Sequence, residues 1–194
     1  MSERDRNKFE KMLAFHSAPT LVGVKCANLF AVDRSEISLS DIEEYFRSRP
    51  ALKQVSVHYL CKCRQRVLLY VYHKELLEMW LSDVRVSALM EEYGYGRELS
   101  MSEKLDILED RISCTDFPHE IGIFLGYPVD DVLGFVKNGG ANCLFCGFWK
   151  VYSEPEKAKT EFDKYVYCRN YLCNNIDRGV DLCHAVATLK EETL

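Results

Sequence analysis

Apolar periodicity along the chain switches between helix-like and strand-like spacing. Phe9, Met12, Leu13 and His16 share one face at a 3.6-residue period, which predicts a first helix over 6–16, ended by Ala18-Pro19-Thr20. Residues 21–32 read as extended. Ser40-Asp41-Ile42-Glu43 has the spacing of a capping box, opening a helix that stops before Pro50. Val55, Val57 and Tyr59 alternate with Ser56, His58 and Leu60, predicting a half-buried strand. Val67 to Tyr72 is continuously apolar, as in a central strand covered on both faces, and the polar stretch Lys62 to Gln65 between the two fits a hairpin turn.

The second half is mostly helical in pattern. A helix from Lys74 carries Leu77, Trp80, Leu81, Val84 and Ala88 on one face and stops at Gly94-Tyr95-Gly96. A second capping box, Ser100-Met101-Ser102-Glu103, opens a helix with Leu105, Leu108 and Ile112 inward. Two short helices follow, over about 118–125 and 128–138. Pro128 suits a first turn, Asp130 and Asp131 suit its positive dipole end, and Gly139-Gly140 stops it. Leu144 to Tyr152 reads as a strand, Ser153-Glu154-Pro155-Glu156 as a third capping box before a long helix to about Asn174, and 181–189 as a last short helix. The sum is three to four strands, including a hairpin, and seven to eight helices: an α+β (mixed α/β) fold with a small sheet covered by helices.

Length fits one globular domain over 1–194. A chain of this size buries roughly 70% of its unfolded surface and needs no metal or disulfide to fold. The net charge of −5, from 25 basic and 30 acidic residues, argues against a nucleic-acid partner. Charge is uneven: Lys53, Lys62, Arg64, Arg66 and Lys74 occur with no acid among them, and fourteen acids against four bases follow from Glu75 to Asp131. This is either a solvated hairpin beside solvated helices or a positive patch for an anionic ligand. No apolar run nears the ~18 residues of a spanning helix, and the charged N-terminus has no apolar region behind it. A cytoplasmic protein without a membrane partner is expected. Its nine cysteines, an odd number, are then expected to be free thiols rather than disulfides.

Most chemical templates fail. Cys143-Leu144-Phe145-Cys146 is a CxxC, but on a strand its thiols would point to opposite faces, and Cys168 and Cys173 do not supply a second zinc pair. No metal site is expected. The pair of helices after Pro118 has helix-turn-helix spacing with Gly126 at the turn, yet Asp130 and Asp131 would face the phosphates. Phosphate-loop, dinucleotide, zincin and nucleophile-elbow motifs are absent.

Two segments depart from plain core patterning: His16-Ser17-Ala18-Pro19-Thr20, and the stretch from Phe117-Pro118-His119-Glu120 to Gly147-Phe148-Trp149-Lys150-Val151-Tyr152. A continuous strand would align Cys146, Phe148, Lys150 and Tyr152 on one face. Pro118 at a helix start would leave N–H groups for an anion. The candidate ligand site is therefore His16, Thr20, His119, Glu120, Cys146, Lys150 and Tyr152, meeting around one concave surface. The plainer alternative makes Cys146 and Phe148 core, with Lys150 and Tyr152 reaching solvent.

The same segments, with Ala27-Asn28-Leu29-Phe30 and Ile121 to Pro128, resemble a bacterial domain-of-unknown-function family, number 3793, found mainly in anaerobes. The resemblance covers nearly the whole chain and implies no catalytic residue or cofactor. In the family a cysteine often precedes the Ala-Pro-Thr; here Ser17 stands there, so no thiol nucleophile is carried over. The expected function is a cytosolic small-ligand-binding protein, with a small anionic ligand, in a redox or metal-handling context. Two alternatives stay open: a small-molecule enzyme using a His or Cys as acid, base or nucleophile, and a protein–protein interaction module.

Overall fold

The fold comes from a computed structural model that describes residues 1–62, 66–114 and 117–193. Cys63, Arg64 and Gln65 lie outside the described residues, and with them most of the turn expected at Lys62 to Gln65 and part of the basic patch. The elements are α1 (Glu3–Leu21), β1 (Ala27–Asp33), α2 (Leu39–Arg47), a 3-10 turn (Pro50–Leu52), β2 (Val55–Lys62), β3 (Arg66–His73), α3 (Lys74–Leu81), α4 (Val84–Glu92), α5 (Met101–Cys114), α6 (Ile121–Phe124), α7 (Val129–Lys137), β4 (Phe145–Cys146), β5 (Lys150–Val151), α8 (Pro155–Asp177) and α9 (Leu182–Thr193). The class is α+β, with nine α-helices among the described residues rather than seven or eight.

The main sheet is antiparallel in the order β1-β3-β2, so the continuously apolar β3 is central. Its alternation explains the unbroken run. Val67, Leu69 and Val71 enter one core with Phe9, Leu13 and Leu21 of α1 and Leu172 and Ile176 of α8. Tyr70, flanked by half-buried Leu68 and Tyr72, enters a second core on the other face, with Leu77, Val86, Leu105, Leu108 and Phe124. A strand with helices on both faces has no polar side to show. A third, aromatic core joins Trp149 and Val151 to Ala158, Phe162 and Tyr165 of α8.

Several boundaries differ from the sequence reading, each for a local reason. The first helix runs through Pro19 to Leu21. Ala18, Pro19, Thr20 and Leu21 are all buried, and the Pro19 carbonyl accepts from the Val24 and Lys25 amides at 2.8 and 3.1 Å. Packing of that last turn outweighs the ~3 kcal/mol that an interior proline costs. The cap of α2 is Ser38, whose hydroxyl accepts from the Asp41 amide at 3.1 Å, two residues before the expected box. The single helix expected from Lys74 to the stop at Gly94-Tyr95-Gly96 is two, because Asp83 accepts from the Arg85 and Val86 amides and leaves Val84 80% exposed. The box at Ser100 forms as expected, with Glu103 accepting from the Ser100 amide at 2.7 Å and Ser100 from the Glu103 amide at 3.3 Å. The third box does not form: Glu154 adopts a left-handed φ of 42°, and Ser153 turns to Asp131 instead.

The expected strand over 144–152 is a hairpin. β4 and β5 are two residues each and pair antiparallel, Phe145 with Val151 and Cys146 with Lys150. Gly147 lets the hairpin pack closely on α8, since a Cβ there would lie 2.1 Å from the Phe162 ring.

The short helix α6 is held by side chains from elsewhere. Trp80 Nε1 donates to the Ile123 carbonyl at 2.8 Å, the Tyr70 hydroxyl to Phe124 at 2.5 Å, and Lys25 Nζ to Leu125 at 2.8 Å. Lys25 also donates to the Ala27 carbonyl and lies 5.3 Å from the Tyr127 ring centroid. Gly126 follows with φ of 73°, and a Cβ there would lie 2.5 Å from Cys26 Sγ, so only glycine fits this turn.

Burial lowers the Lys25 ammonium to a pKa of about 8 from the usual 10.5. Between those values the unfolded chain holds a proton that the folded chain has released, so this residue makes stability rise with pH in that window. Relative to Lys25→Met, the wild type is expected to gain about 3 kcal/mol in unfolding free energy between pH 8 and 10.5. Urea denaturation of both proteins across this range checks it; parallel pH profiles would contradict the assignment.

Candidate functional site

Proline and glycine punctuation around α6 and α7 opens a cavity between these helices and the β4–β5 hairpin. Its volume is about 320 Å³, at the small end of the range for ligand pockets. Five rings line it: Phe117, His119, Tyr127, Phe135 and Trp149. Ile121 and Val132 add aliphatic wall, and Asp131 and Lys150 are the charged lining residues.

The walls are braced from behind. Tyr127 stacks on Trp149 at 5.1 Å, and Trp149 meets Phe162 edge-on at 4.5 Å. The Tyr127 hydroxyl donates to the Phe148 carbonyl at 3.2 Å, and burial pushes its pKa up to about 12, so it stays a neutral donor. Asp131 is buried and fully engaged. It accepts from Trp149 Nε1 at 2.7 Å, from the Tyr152 and Ser153 amides at 2.8 and 2.7 Å, and from the Ser153 hydroxyl at 2.9 Å. This carboxylate fastens the hairpin to α7, with three of its four bonds on Oδ1 and one on Oδ2.

Lys150 is exposed. Its ammonium donates to the Gly140 carbonyl at 2.6 Å and lies 5.6 Å from the Phe135 centroid. One bond leaves two N–H donors on an ammonium. His119 is exposed and meets Phe135 at 5.5 Å. The positive charge therefore sits at the rim of an apolar aromatic box.

Of the seven residues expected to converge, His119 and Lys150 line this cavity, and Cys146 is Lys150's cross-strand neighbour, exposed to solvent. The others lie elsewhere. His16 stacks on Phe30 at 4.9 Å and lines a separate, shallow concavity with Lys11, Cys173 and Asp177. Burial, reinforced by Arg169, lowers its pKa. Thr20 is fully buried and donates to Asn28 Oδ1 at 2.7 Å, tying α1 to β1. Glu120 turns inward to Arg111 Nη1 at 2.5 Å and accepts from the Tyr95 hydroxyl at 3.3 Å. Tyr152 packs its ring over Gly134, where a Cβ would lie 2.6 Å away, and its hydroxyl is buried without a hydrogen bond. The aligned face failed because the segment is a hairpin, and His16 is taken up by its stacking on Phe30. Ser17, the position where the family often has cysteine, is fully buried with its hydroxyl unbonded.

The pattern missed Tyr127, Val132, Phe135 and Trp149 as walls. Their signal was an aromatic excess beside glycines, which also describes ordinary core. It also missed a group far apart in sequence: His58, Asp106 and Glu109 bring their ligand atoms within 4.8 Å of one another. Among the described side chains, Cys26, Cys143, Cys146, Cys168, Cys173 and Cys183 are free thiols, and burial raises the pKa of Cys26, Cys168, Cys173 and Cys183.

Residues 13–185 match the sequence profile of a family described as a protein of unknown function, DUF3793. The chain belongs to this DUF3793 family. The match spans α1 to α9 and so includes every residue of the aromatic cavity. No curated protein and no solved structure matches the chain.

Replacing Asp131 tests how the cavity is held. Asp131→Ala leaves the Trp149 indole N–H and two backbone amides without their acceptor and is expected to cost about 3 kcal/mol. A urea midpoint unchanged from wild type would show that the hairpin is held in another way.

Proposed function

We propose that this protein binds one small planar ligand, with an apolar or aromatic body and an anionic group, in the bacterial cytoplasm. The observation that carries this reading is the five-ring cavity with the Lys150 ammonium at its rim. Ring walls favour a flat, apolar body through burial and stacking. The rim cation has donors left for a carboxylate, sulfonate or phosphate. Asp131 also lines the cavity, with its oxygens engaged by four donors of the chain, so the anionic group of the ligand belongs at the Lys150 rim.

An acid–base or thiol reaction has less support. Glu120, the carboxylate adjacent to His119 in sequence, is engaged by Arg111 and Tyr95. Neither Cys143 nor Cys146 is among the cavity-lining residues. The reading includes no nucleic-acid partner: α6 has only four residues, Asp130 pairs with Arg85 at 2.7 Å, and Asp131 points inward. No membrane partner is included either; no helix among the described residues is long and apolar enough to cross a bilayer.

Anilinonaphthalene sulfonate, an aromatic anion, serves as the probe, with its fluorescence read on titration. Saturable one-to-one binding is expected. Lys150→Met and Phe135→Ala are each expected to weaken it about ten-fold, equivalent to ~1.4 kcal/mol. Absence of saturable binding, or wild-type affinity in both variants, would overturn the proposal.

A further inference from the structure

The edge strand β2 and helix α5 bring together a group that shares no residue with the aromatic cavity. We infer that His58, Asp106 and Glu109 form a site for one first-row divalent cation of the manganese, iron, cobalt or zinc class.

The argument begins with spacing. Asp106 and Glu109 are three apart on α5 and so share a helix face. His58 lies on β2, on the same sheet face as Leu60, whose side chain enters the core that Leu105 and Leu108 of α5 also enter. The scaffold beneath the three side chains is thus a packed strand–helix contact rather than a loop.

Distances come next. His58 Nε2 lies 3.0 Å from Glu109 Oε2 and 3.9 Å from Asp106 Oδ1. All three ligand atoms fall within 4.8 Å of one another. Atoms in adjacent positions around one ion, with bonds of about 2.1 Å, are roughly 3–3.5 Å apart. Only Asp106 must close in. It is 62% exposed, against 20% for His58 and 24% for Glu109, so it is the member with room to move.

A His–carboxylate pair alone would use one acid. Here a second carboxylate faces the same imidazole, although like charges three apart on a helix repel. A divalent ion between them removes that repulsion, and two carboxylates balance its charge. The donor set selects the metal class. An imidazole with two carboxylate oxygens suits borderline first-row ions, while magnesium and calcium favour all-oxygen sets and copper(I) favours thiolates. The exposed side leaves the remaining coordination positions to water.

Cobalt(II) is the probe, added to chelator-stripped full-length protein and followed by absorption and equilibrium dialysis. The expected result is one bound equivalent with ligand-field bands and no thiolate charge-transfer band. Asp106→Asn and His58→Gln are each expected to weaken binding about ten-fold or more. Asp106 is exposed, so that variant is expected to keep the wild-type circular dichroism spectrum and isolates ligation from folding. A thiolate band, no saturable binding, or unchanged affinity in Asp106→Asn would overturn the inference. Because anilinonaphthalene sulfonate reads a separate cavity, failure of either test leaves the other intact.

Discussion

Three consecutive carbonyls, on Ile123, Phe124 and Leu125, anchor the centre of this protein. A four-residue helix cannot persist by its own hydrogen bonds, since helix nucleation costs more than one turn returns. Here α6 persists because Trp80 from α3, Tyr70 from the central strand and Lys25 from the turn after α1 each donate to one of these carbonyls. The three donors come from different parts of the chain, so α6 joins them to each other. Lys25 is the costly member: a cation with carbonyls and one ring for company, without a carboxylate among its hydrogen-bond partners. Its depressed pKa records that cost.

What α6 fixes, α7 and the hairpin extend. Gly126 turns the chain tightly against Cys26 and delivers Tyr127 to the face of Trp149. Asp131 then gathers the Trp149 indole and the amides beyond β5 onto α7. A carboxylate with four donors is a structural clasp, and the cavity beside it is walled mainly by rings. The cation sits at the edge, with Lys150. The separation of an aromatic interior from a cationic rim underlies the proposed preference for a flat anionic ligand.

The His58, Asp106 and Glu109 group is built differently. The aromatic cavity is a space between elements, whereas this group is a set of side chains on the outer margin of one packed strand–helix contact. The second group exists because α5 packs on one face of the main sheet, over β2.

Local sequence fixed the class of most elements. The run Val67 to Tyr72 announced a central strand because each successive side chain had to be buried on one face or the other, and the Ser100–Glu103 box announced the start of α5 because its bonds are local. Family membership was also legible, in the segments around Pro19, Pro118 and Trp149. Tertiary contacts decided the rest. Ser153 could cap α8 or bind Asp131, and the buried carboxylate won. Pro19 could end α1 or ride within it, and burial of Ala18, Thr20 and Leu21 kept the helix going. Between β4 and β5 the chain reverses, and His16 stacks on Phe30 away from the cavity that His119 lines. The cation group spans 51 residues from His58 to Glu109, and neither period nor spacing connects His58 to the two carboxylates. Residue pattern reports energies that act within a few turns of chain; which side chains meet across elements depends on burial shared by the whole fold, and only the tertiary structure contains it.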